Sequence, residues 1–155
     1  MAIRGRTPYS ASHLANWGGD EPAPLGAGRT AMLCLLAAIY VGFGLFHLFK
    51  PASFLPIMPP GIPFPGPVVV FTGACEIAGG VGLLIRLLRR PAAVMLALYA
   101  LCVWPANIYH ALSGVHVPGL PDSWWYHGPR LAFQLVLDWW PLFAARLTDW
   151  PFGRR

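Results

Sequence analysis

A carboxylate stands in the middle of the apolar stretch FTGACEIAGG, which covers residues 71–80. Its neighbours are small or apolar, so an acidic side chain at Glu76 would be energetically unfavourable if this stretch lay in lipid. Acidic residues that are kept in such surroundings exchange protons or pair with another polar group. The position of Glu76 therefore predicts a site inside a membrane, and its partners must come from other elements.

Polar residues in the other apolar stretches are spaced so that they could act together with this carboxylate. Arg130, Gln134 and Asp138 are spaced by four residues, and Asn107 and His110 by three, so each set occupies one stripe of a helix. Charged stripes that faced lipid would be unfavourable, so both are predicted to turn inward. The candidate set comprises His47, Glu76, Asn107, His110, Arg130, Gln134 and Asp138.

The composition of the chain indicates the environment of these residues. Its 155 residues are 56% hydrophobic and 11% charged, with a mean hydropathy of +0.54, whereas soluble domains average about 25% charged residues. This composition predicts an integral membrane protein whose surroundings are the lipid bilayer. The net charge of +5 comes from basic residues dispersed at the ends of apolar stretches, which does not favour nucleic acid as a partner.

Four apolar stretches approach the roughly 20 residues that a helix needs to cross a bilayer. They cover residues 31–49, 67–88, 91–112 and 130–147, and Asp138 and Pro141 interrupt the fourth. We therefore predict an all-α membrane protein in which residues 30–148 form a four-transmembrane-helix bundle.

Basic residues predict the orientation of this bundle. Nine of the eleven Arg and Lys residues lie in the N-terminal tail, in the link between the second and third spans or towards the C-terminus, and two lie in the other links. By the positive-inside rule both termini are cytoplasmic, and the candidate residues lie in the outer half of the bilayer.

The terminal segments are predicted to lie outside the bundle. Residues 1–29 are polar and rich in Gly, Pro and Ala, without the apolar core of a signal peptide, and predict a mobile cytoplasmic tail. Residues 149–155 form a short basic C-terminal tail. With no sorting sequence, a multi-pass protein of a bacterial inner (plasma) membrane is expected.

The outer link between the first two spans is rich in proline. KPASFLPIMPPGIPFPGP, residues 50–67, holds seven prolines and no charge after Lys50. Proline at this density predicts a stiff segment without regular helix, and its apolar side chains favour a position in the interface as a lid over the bundle. In the other outer link, Trp124, Trp125 and Tyr126 are typical of an interfacial aromatic belt.

Small residues surround Glu76 in the second span. Gly73 and Gly80 lie within about 60° of Glu76 on a helical wheel of 100° per residue, and small residues allow helices to pack closely. Glu76 is therefore predicted to face the interior. In the third span Pro105 removes one backbone hydrogen bond and predicts a bend just before Asn107.

Other kinds of site match the sequence poorly. Cys34, Cys75 and Cys102 form no Cys-x-x-Cys pair, so dithiol exchange lacks its motif. The His and Glu residues match no metal-ligand spacing, and no metal site is predicted. The sequence also holds no phosphate-binding glycine loop and no nucleophile motif.

Several of these residues form a pattern that resembles the DoxX-like family of small four-helix membrane proteins. The pattern runs from about residue 42 to residue 140 and includes GLFHLFKP, the prolines of the first outer link, Gly-x-x-Glu-x-x-Gly, Pro-Ala-Asn and Arg-x-x-x-Gln. The resemblance implies four helices with cytoplasmic termini. It implies a redox role through a membrane subunit of thiosulfate:quinone oxidoreductase, or an assembly role through distant eukaryotic relatives that help to assemble membrane receptors. Asp138 departs from the family pattern, so no family role is assigned to it.

Two functions from different classes follow. In the first, the protein is the membrane subunit of a quinone-linked redox system, with Glu76 and His47 as catalytic residues that exchange protons with a quinone head group. Since almost none of the chain would lie outside the bilayer, such activity would require a second redox subunit. The ligand-binding residues would be Asn107, His110, Arg130 and Gln134.

In the second, the protein is a non-catalytic membrane assembly factor or partner subunit. Glu76 and Arg130 would then form a polar knot that sets the register of the helices and needs no ligand. The small residues of the first two spans would also permit a homodimer.

Overall fold

The computed structural model describes residues 24–117 and 119–153, and within these ranges the chain is helical without strands. This confirms the all-α part of the prediction. The four α-helices are α1 Ala27–Phe49, α2 Pro65–Leu84, α3 Arg89–Leu112 and α4 Trp124–Ala144. Two short 3₁₀ turns, Pro51–Ser53 and Leu55–Ile57, follow α1.

Three of these helices are long and apolar enough to cross a membrane. The most apolar windows of α1, α2 and α3 have mean hydropathies of 2.2, 1.7 and 1.6, and only 22% to 39% of their residues are buried. Many of the side chains left exposed are large and apolar, including Phe43, Phe71 and Leu101. Soluble proteins rarely expose apolar surface on this scale, whereas lipid accommodates it.

The fourth helix differs most from its predicted span. α4 begins at Trp124 rather than at residue 130 and ends at Ala144, with Pro129 and Pro141 inside it. A proline near the start of a helix removes a single backbone hydrogen bond and does not prevent the turn before it. The helix ends where Arg146 adopts the left-handed conformation, with φ of 58°.

The second helix ends earlier than predicted, at Leu84 rather than at residue 88. The last carbonyls of a helix lack partners within it. Here Arg89 reaches back and donates a hydrogen bond from Nε to the carbonyl of Leu83 at 3.1 Å. A tight turn over residues 85–88 then leads directly into α3.

The proline link, defined here as residues 50–64, forms helical turns where the sequence predicted none. Pro51 and Pro56 occupy the first or second position of their 3₁₀ turns, where a missing N–H breaks no bond of the turn. The two turns contact α1, α2 and α3. The link therefore lies across one end of these helices.

Each helix packs on the next along the chain, and α4 also contacts α1. The apolar core, which includes Leu33, Leu36, Leu83 and Leu96, lies at the end formed by the start of α1 and the end of α2. We call this the core end. The opposite end, below the proline link, is called the polar end.

The N-terminal segment joins the core end where it can be described. The predicted tail, residues 1–29, lies mainly outside the described residues, but α1 begins at Ala27, within it. Arg29 forms an ion pair of 2.6 Å with Asp149, and Arg146 donates a hydrogen bond to the carbonyl of Pro24. The start of α1 and the segment after α4 are thereby tied together.

Candidate functional site

The predicted site residues lie in the half of the molecule towards the polar end, and they form two clusters. The carboxylate cluster consists of Glu76 and the residues around it, His47, Tyr40 and Tyr99. The guanidinium cluster joins α3 to α4. Its members are Asn107, His110, Arg130 and Gln134.

The carboxylate cluster is built on a close contact between α1 and α2. His47 Nδ1 lies 2.8 Å from Glu76 Oε2, and both side chains are largely buried, at 13% and 8% exposure. The same Nδ1 lies 2.9 Å from the carbonyl of Phe43, one turn earlier in α1. The ring hydrogen cannot align with both acceptors, and Oε2 has no well-directed hydrogen bond among the described residues.

Two tyrosines complete this cluster from α1 and α3. Tyr99 lies beside the Glu76 carboxylate. Tyr40 packs edge-on against Tyr99, with ring centroids 6.3 Å apart, and its buried hydroxyl has no partner among the described residues. Neither tyrosine was among the predicted site residues, because a tyrosine in an apolar span is usually part of the core. Only their depth, close to that of Glu76, could have indicated them.

The proline link covers the carboxylate cluster with an aromatic ring. Phe54 stacks on His47 with ring centroids 3.7 Å apart and planes inclined by 17°. The link thus closes the polar end directly above His47. The sequence indicated a lid over the helices but not which of its apolar residues would touch the site.

An apolar groove of about 720 Å³ lies beside the proline link, on another side of α2. Val70 and Phe71 in its wall lie about 120° and 140° around the helix from Glu76. The groove therefore does not reach the carboxylate. Its lining consists of Pro51, Ala52, Leu55, Gly66, Pro67, Val70 and Phe71.

The guanidinium cluster is a continuous hydrogen-bonded network. Arg130 donates to Asn107 Oδ1 at 2.5 Å and to His110 Nδ1 at 2.7 Å. Asn107 donates to Gln134 Oε1 at 3.0 Å, and Gln134 donates to the carbonyl of Ala100 at 2.5 Å. The two stripes predicted from the spacing of these residues therefore meet each other.

The contact with Arg130 determines the protonation of His110. A guanidinium can only donate hydrogen bonds, so Nδ1 of His110 must accept. The ring is then neutral and carries its hydrogen on Nε2. The charge of Arg130 is consequently surrounded by neutral partners.

The polar knot between Glu76 and Arg130 is not formed in this structure. Glu76 is paired with His47, whereas Arg130 is bonded to Asn107 and His110. Helical spacing places residues on a stripe but does not say which neighbouring helix that stripe meets. The clusters adjoin through α3, where Tyr99 lies beside Glu76 and the next residue, Ala100, accepts from Gln134.

Among the described residues, the remaining candidates make no hydrogen bond with either cluster. Asp138 is half-buried, and its Oδ1 has no partner among the described residues. Cys34, Cys75 and Cys102 are free thiols. Among residues 24–117 and 119–153, no three His, Cys, Asp or Glu side chains are grouped so that they could hold a metal ion.

Membrane-compatible helices and a buried histidine–carboxylate pair define a small helical membrane protein with a polar interior. A family model described as Domain of unknown function (DUF8561) matches residues 36–145, and the chain belongs to this family. The matched range includes both clusters. Comparison with curated proteins and with solved structures gave no match.

Proposed function

We propose that this protein is the membrane subunit of a quinone-linked redox system, in which Glu76 and His47 exchange protons with the quinone head group. One observation carries the proposal. Oε2 of Glu76 is buried without a well-directed hydrogen bond among the described residues, although His47 Nδ1 is 2.8 Å away. A buried acid that is incompletely bonded by the fold can take up or release a proton without breaking a structural network.

The contrast between the two clusters supports this assignment. A polar network that serves only the fold is most stabilising when all its members are bonded. In the guanidinium cluster, Arg130, Asn107 and Gln134 have no buried polar atom left without a partner. In the carboxylate cluster, Glu76 and Tyr40 both do. The second arrangement is the one expected where a ligand or a proton completes the site.

A planar head group would reach this pair through the proline link. Phe54 occupies the face of the His47 ring that such a group would use. Its movement would open the site towards the surrounding lipid, from which an apolar quinone would enter. The groove beside Val70 and Phe71 leads to another side of α2 and has no part in this route.

The proposal includes a four-span bundle with both termini cytoplasmic, in a bacterial inner membrane. Most basic residues lie at the start of α1, in the link between α2 and α3 and after α4, and all three segments lie at the core end. The positive-inside rule would place that end in the cytoplasm. The carboxylate cluster would then lie in the outer half of the bilayer.

The resemblance to DoxX-like proteins is the reason for choosing quinone over other proton-exchanging ligands. His47, Glu76, Asn107, Arg130 and Gln134 carry that resemblance, and all lie towards the polar end. Asn107, Arg130 and Gln134 have hydrogen-bond partners within the chain, so the proposed quinone contacts are limited to the carboxylate cluster. A second subunit would supply the electrons.

The test is to measure quinone in the purified protein. The protein is isolated in mild detergent, and its lipid extract is analysed for quinone in wild type and in Glu76→Gln. We expect about one quinone per chain in the wild type and much less in the variant, because an amide forms a weaker hydrogen bond with the quinone oxygen than a carboxyl group that shares its proton. Gel filtration would show that the variant remains folded.

Asp122→Asn is the matched control for this experiment. It makes the same carboxylate-to-amide change at a half-exposed residue before α4, which lies beside His127 and not beside His47 or Glu76, and should keep the quinone. A wild-type protein without quinone, or Glu76→Gln with as much as wild type, would contradict the proposal.

A non-catalytic assembly or partner role is the second candidate, and the guanidinium cluster favours it. Its bonds run from Arg130 through Asn107 and Gln134 to the backbone of α3, which is what a structural knot requires. If this is the whole function, a complex with a membrane partner should be purified equally well with wild type and Glu76→Gln. A complex that is purified with wild type but lost with Glu76→Gln would contradict a purely structural role.

A further inference from the structure

We infer that the polar end carries a second site, which binds a phosphate group at Arg130 and His127. This inference does not depend on the proposed redox function. It concerns the guanidinium cluster and the start of α4, whereas the proton exchange proposed above takes place at Glu76.

The first observation is a charge without a counter-charge. Arg130 is half-buried, and its bonded partners, Asn107 and His110, are neutral. Within residues 24–117 and 119–153 no carboxylate lies within ion-pair distance of this guanidinium. A guanidinium remains charged in every protein environment, so partial burial without an anion is unfavourable. A bound anion would supply the missing charge.

The second observation is a buried histidine that lacks partners. His127 is 4% exposed, and neither of its ring nitrogens has a hydrogen bond among the described residues. Its ring lies edge-on to that of His110, with centroids 4.9 Å apart, and His110 is bonded to Arg130. A buried imidazole in contact with this cluster therefore has donor capacity that the protein does not use.

The third observation is that the two bonds that hold Arg130 in place use only part of its donor capacity. Nη1 and Nη2 each make one bond within the protein, whereas a guanidinium offers five N–H groups. None of its nitrogens is a buried atom without a partner, so the remaining donors are accessible or already bonded. A rigid fork of this kind suits the oxygen atoms of a phosphate, which accept two parallel bonds.

The exposed tryptophans next to the site suggest the source of the phosphate. Trp124 and Trp125, at the start of α4, are 62% and 92% exposed. Exposed tryptophans of a membrane protein mark the depth of the lipid head groups. The shared chemistry is a phosphate oxygen, either from an anionic lipid head group or from free phosphate.

Asp122 is the carboxylate that would compete with such a ligand. Its Oδ1 lies 3.7 Å from Nε2 of His127, which is too long for a hydrogen bond, and its side chain is 50% exposed. It therefore lies at the rim of the site without neutralising Arg130. Removing its charge should strengthen anion binding.

The experiment measures anion binding by the full chain in nanodiscs of phosphatidylcholine. Phosphatidylglycerol is added to one series and inorganic phosphate to another, and the midpoint of thermal unfolding and the retained lipid in native mass spectra are recorded. We expect half-saturation to require at least about tenfold more ligand in Arg130→Gln, as for the loss of one charge-assisted hydrogen bond. Arg90→Gln, which removes a charge at the other end of α3, should behave as wild type.

The two series distinguish the sources of the phosphate. A response to phosphatidylglycerol alone assigns the site to a lipid head group, and a response to inorganic phosphate assigns it to a free anion. Absence of any response in the wild type, or an equal response in Arg130→Gln, would overturn the inference. If Arg130→Gln does not fold, Asp122→Asn decides, because tighter binding supports the site, and unchanged or weaker binding refutes it.

Discussion

At the scale of single residues, Nδ1 of His47 faces two acceptors at nearly equal distances. Glu76 Oε2 is 2.8 Å away and the carbonyl of Phe43 2.9 Å away. A ring nitrogen carries at most one hydrogen, so it can make a well-directed bond with only one of them. Phe43 lies one turn before His47 in the same helix, whereas Glu76 is brought there by packing. The carboxylate is thus held close without being fully bonded.

Replacing His47 with Phe should show how strongly this contact stabilises the protein. The new ring can still stack on Phe54, so the change mainly removes the polar partner of Glu76. We expect the free energy of unfolding in detergent to fall by about 1–3 kcal/mol, the usual loss when a buried polar group is deprived of its partner. Denaturant titration would measure the loss.

Combining this variant with Glu76→Gln completes a double-mutant cycle. If the lost stability comes from an unpaired carboxylate, the double variant should be more stable than His47→Phe alone. Strictly additive losses would contradict a direct coupling of the two side chains. His116→Phe, at an exposed histidine after α3, is the control and should leave stability unchanged.

At the scale of helices, the glycines of α2 serve two different neighbours. Gly73 and Gly80 face α1, since a Cβ at either would lie within 3 Å of atoms of that helix. Gly79 and Gly82 face α3 in the same way, towards Leu96 and Ala92. Small residues on both sides let α2 approach two helices closely. That closeness is what brings Glu76 to His47.

Gly44 in α1 offers a direct test of this packing. A Cβ at Gly44 would lie 2.6 Å from the carbonyl oxygen of Gly73 and 2.7 Å from Cγ1 of Ile77. The backbone carbonyl cannot move aside, so Gly44→Ala should push α1 and α2 apart and lower the free energy of unfolding by about 1–3 kcal/mol. The same separation should lengthen the contact between His47 and Glu76, which under the proposed function would also reduce quinone binding.

Gly42→Ala is the matched control, because a Cβ at that position meets no atom within 4 Å. It should leave stability unchanged, or raise it by up to about 1 kcal/mol through helix propensity. Both variants can be compared by denaturant titration in the same detergent. Equal stability of Gly44→Ala and wild type would show that the helices are not in close contact at this point.

At the scale of the whole molecule, apolar and polar side chains separate along the helix axes. Leu36, Leu83 and Leu96 fill the core end, while Glu76 and Arg130 lie towards the other. The core end is filled by tightly packed apolar side chains. Both proposed sites therefore lie in the half of the molecule towards the polar end. The proposed topology places the core end on the cytoplasmic side.

Cysteine labelling would test that topology. In a variant without Cys34, Cys75 and Cys102, single cysteines are introduced as Ser113→Cys after α3 and Leu87→Cys between α2 and α3. Leu87 is 86% exposed, so a cysteine there is accessible to reagent. A membrane-impermeant maleimide should label Ser113→Cys in intact spheroplasts and Leu87→Cys only after lysis. The reverse pattern would contradict cytoplasmic termini.

Much of this architecture follows from the amino-acid sequence alone. Apolar length and low charge predict membrane helices, because the bilayer imposes both requirements on any spanning segment. Residues three or four positions apart lie on the same face of a helix. The sequence therefore predicts that Asn107 shares a face with His110, and Arg130 with Gln134. The burial of Glu76 likewise agrees with its small neighbours, at 6% exposure.

Only the tertiary structure shows which residues of neighbouring helices each polar helix face contacts. Glu76 meets His47 and not Arg130, because the rotation of each helix about its axis depends on contacts with all its neighbours. The close approach at Gly44 and Gly73 turns Glu76 towards α1, while the bonds to Asn107 and His110 hold Arg130 between α3 and α4. A helical period specifies a face within one helix, but packing specifies what that face meets.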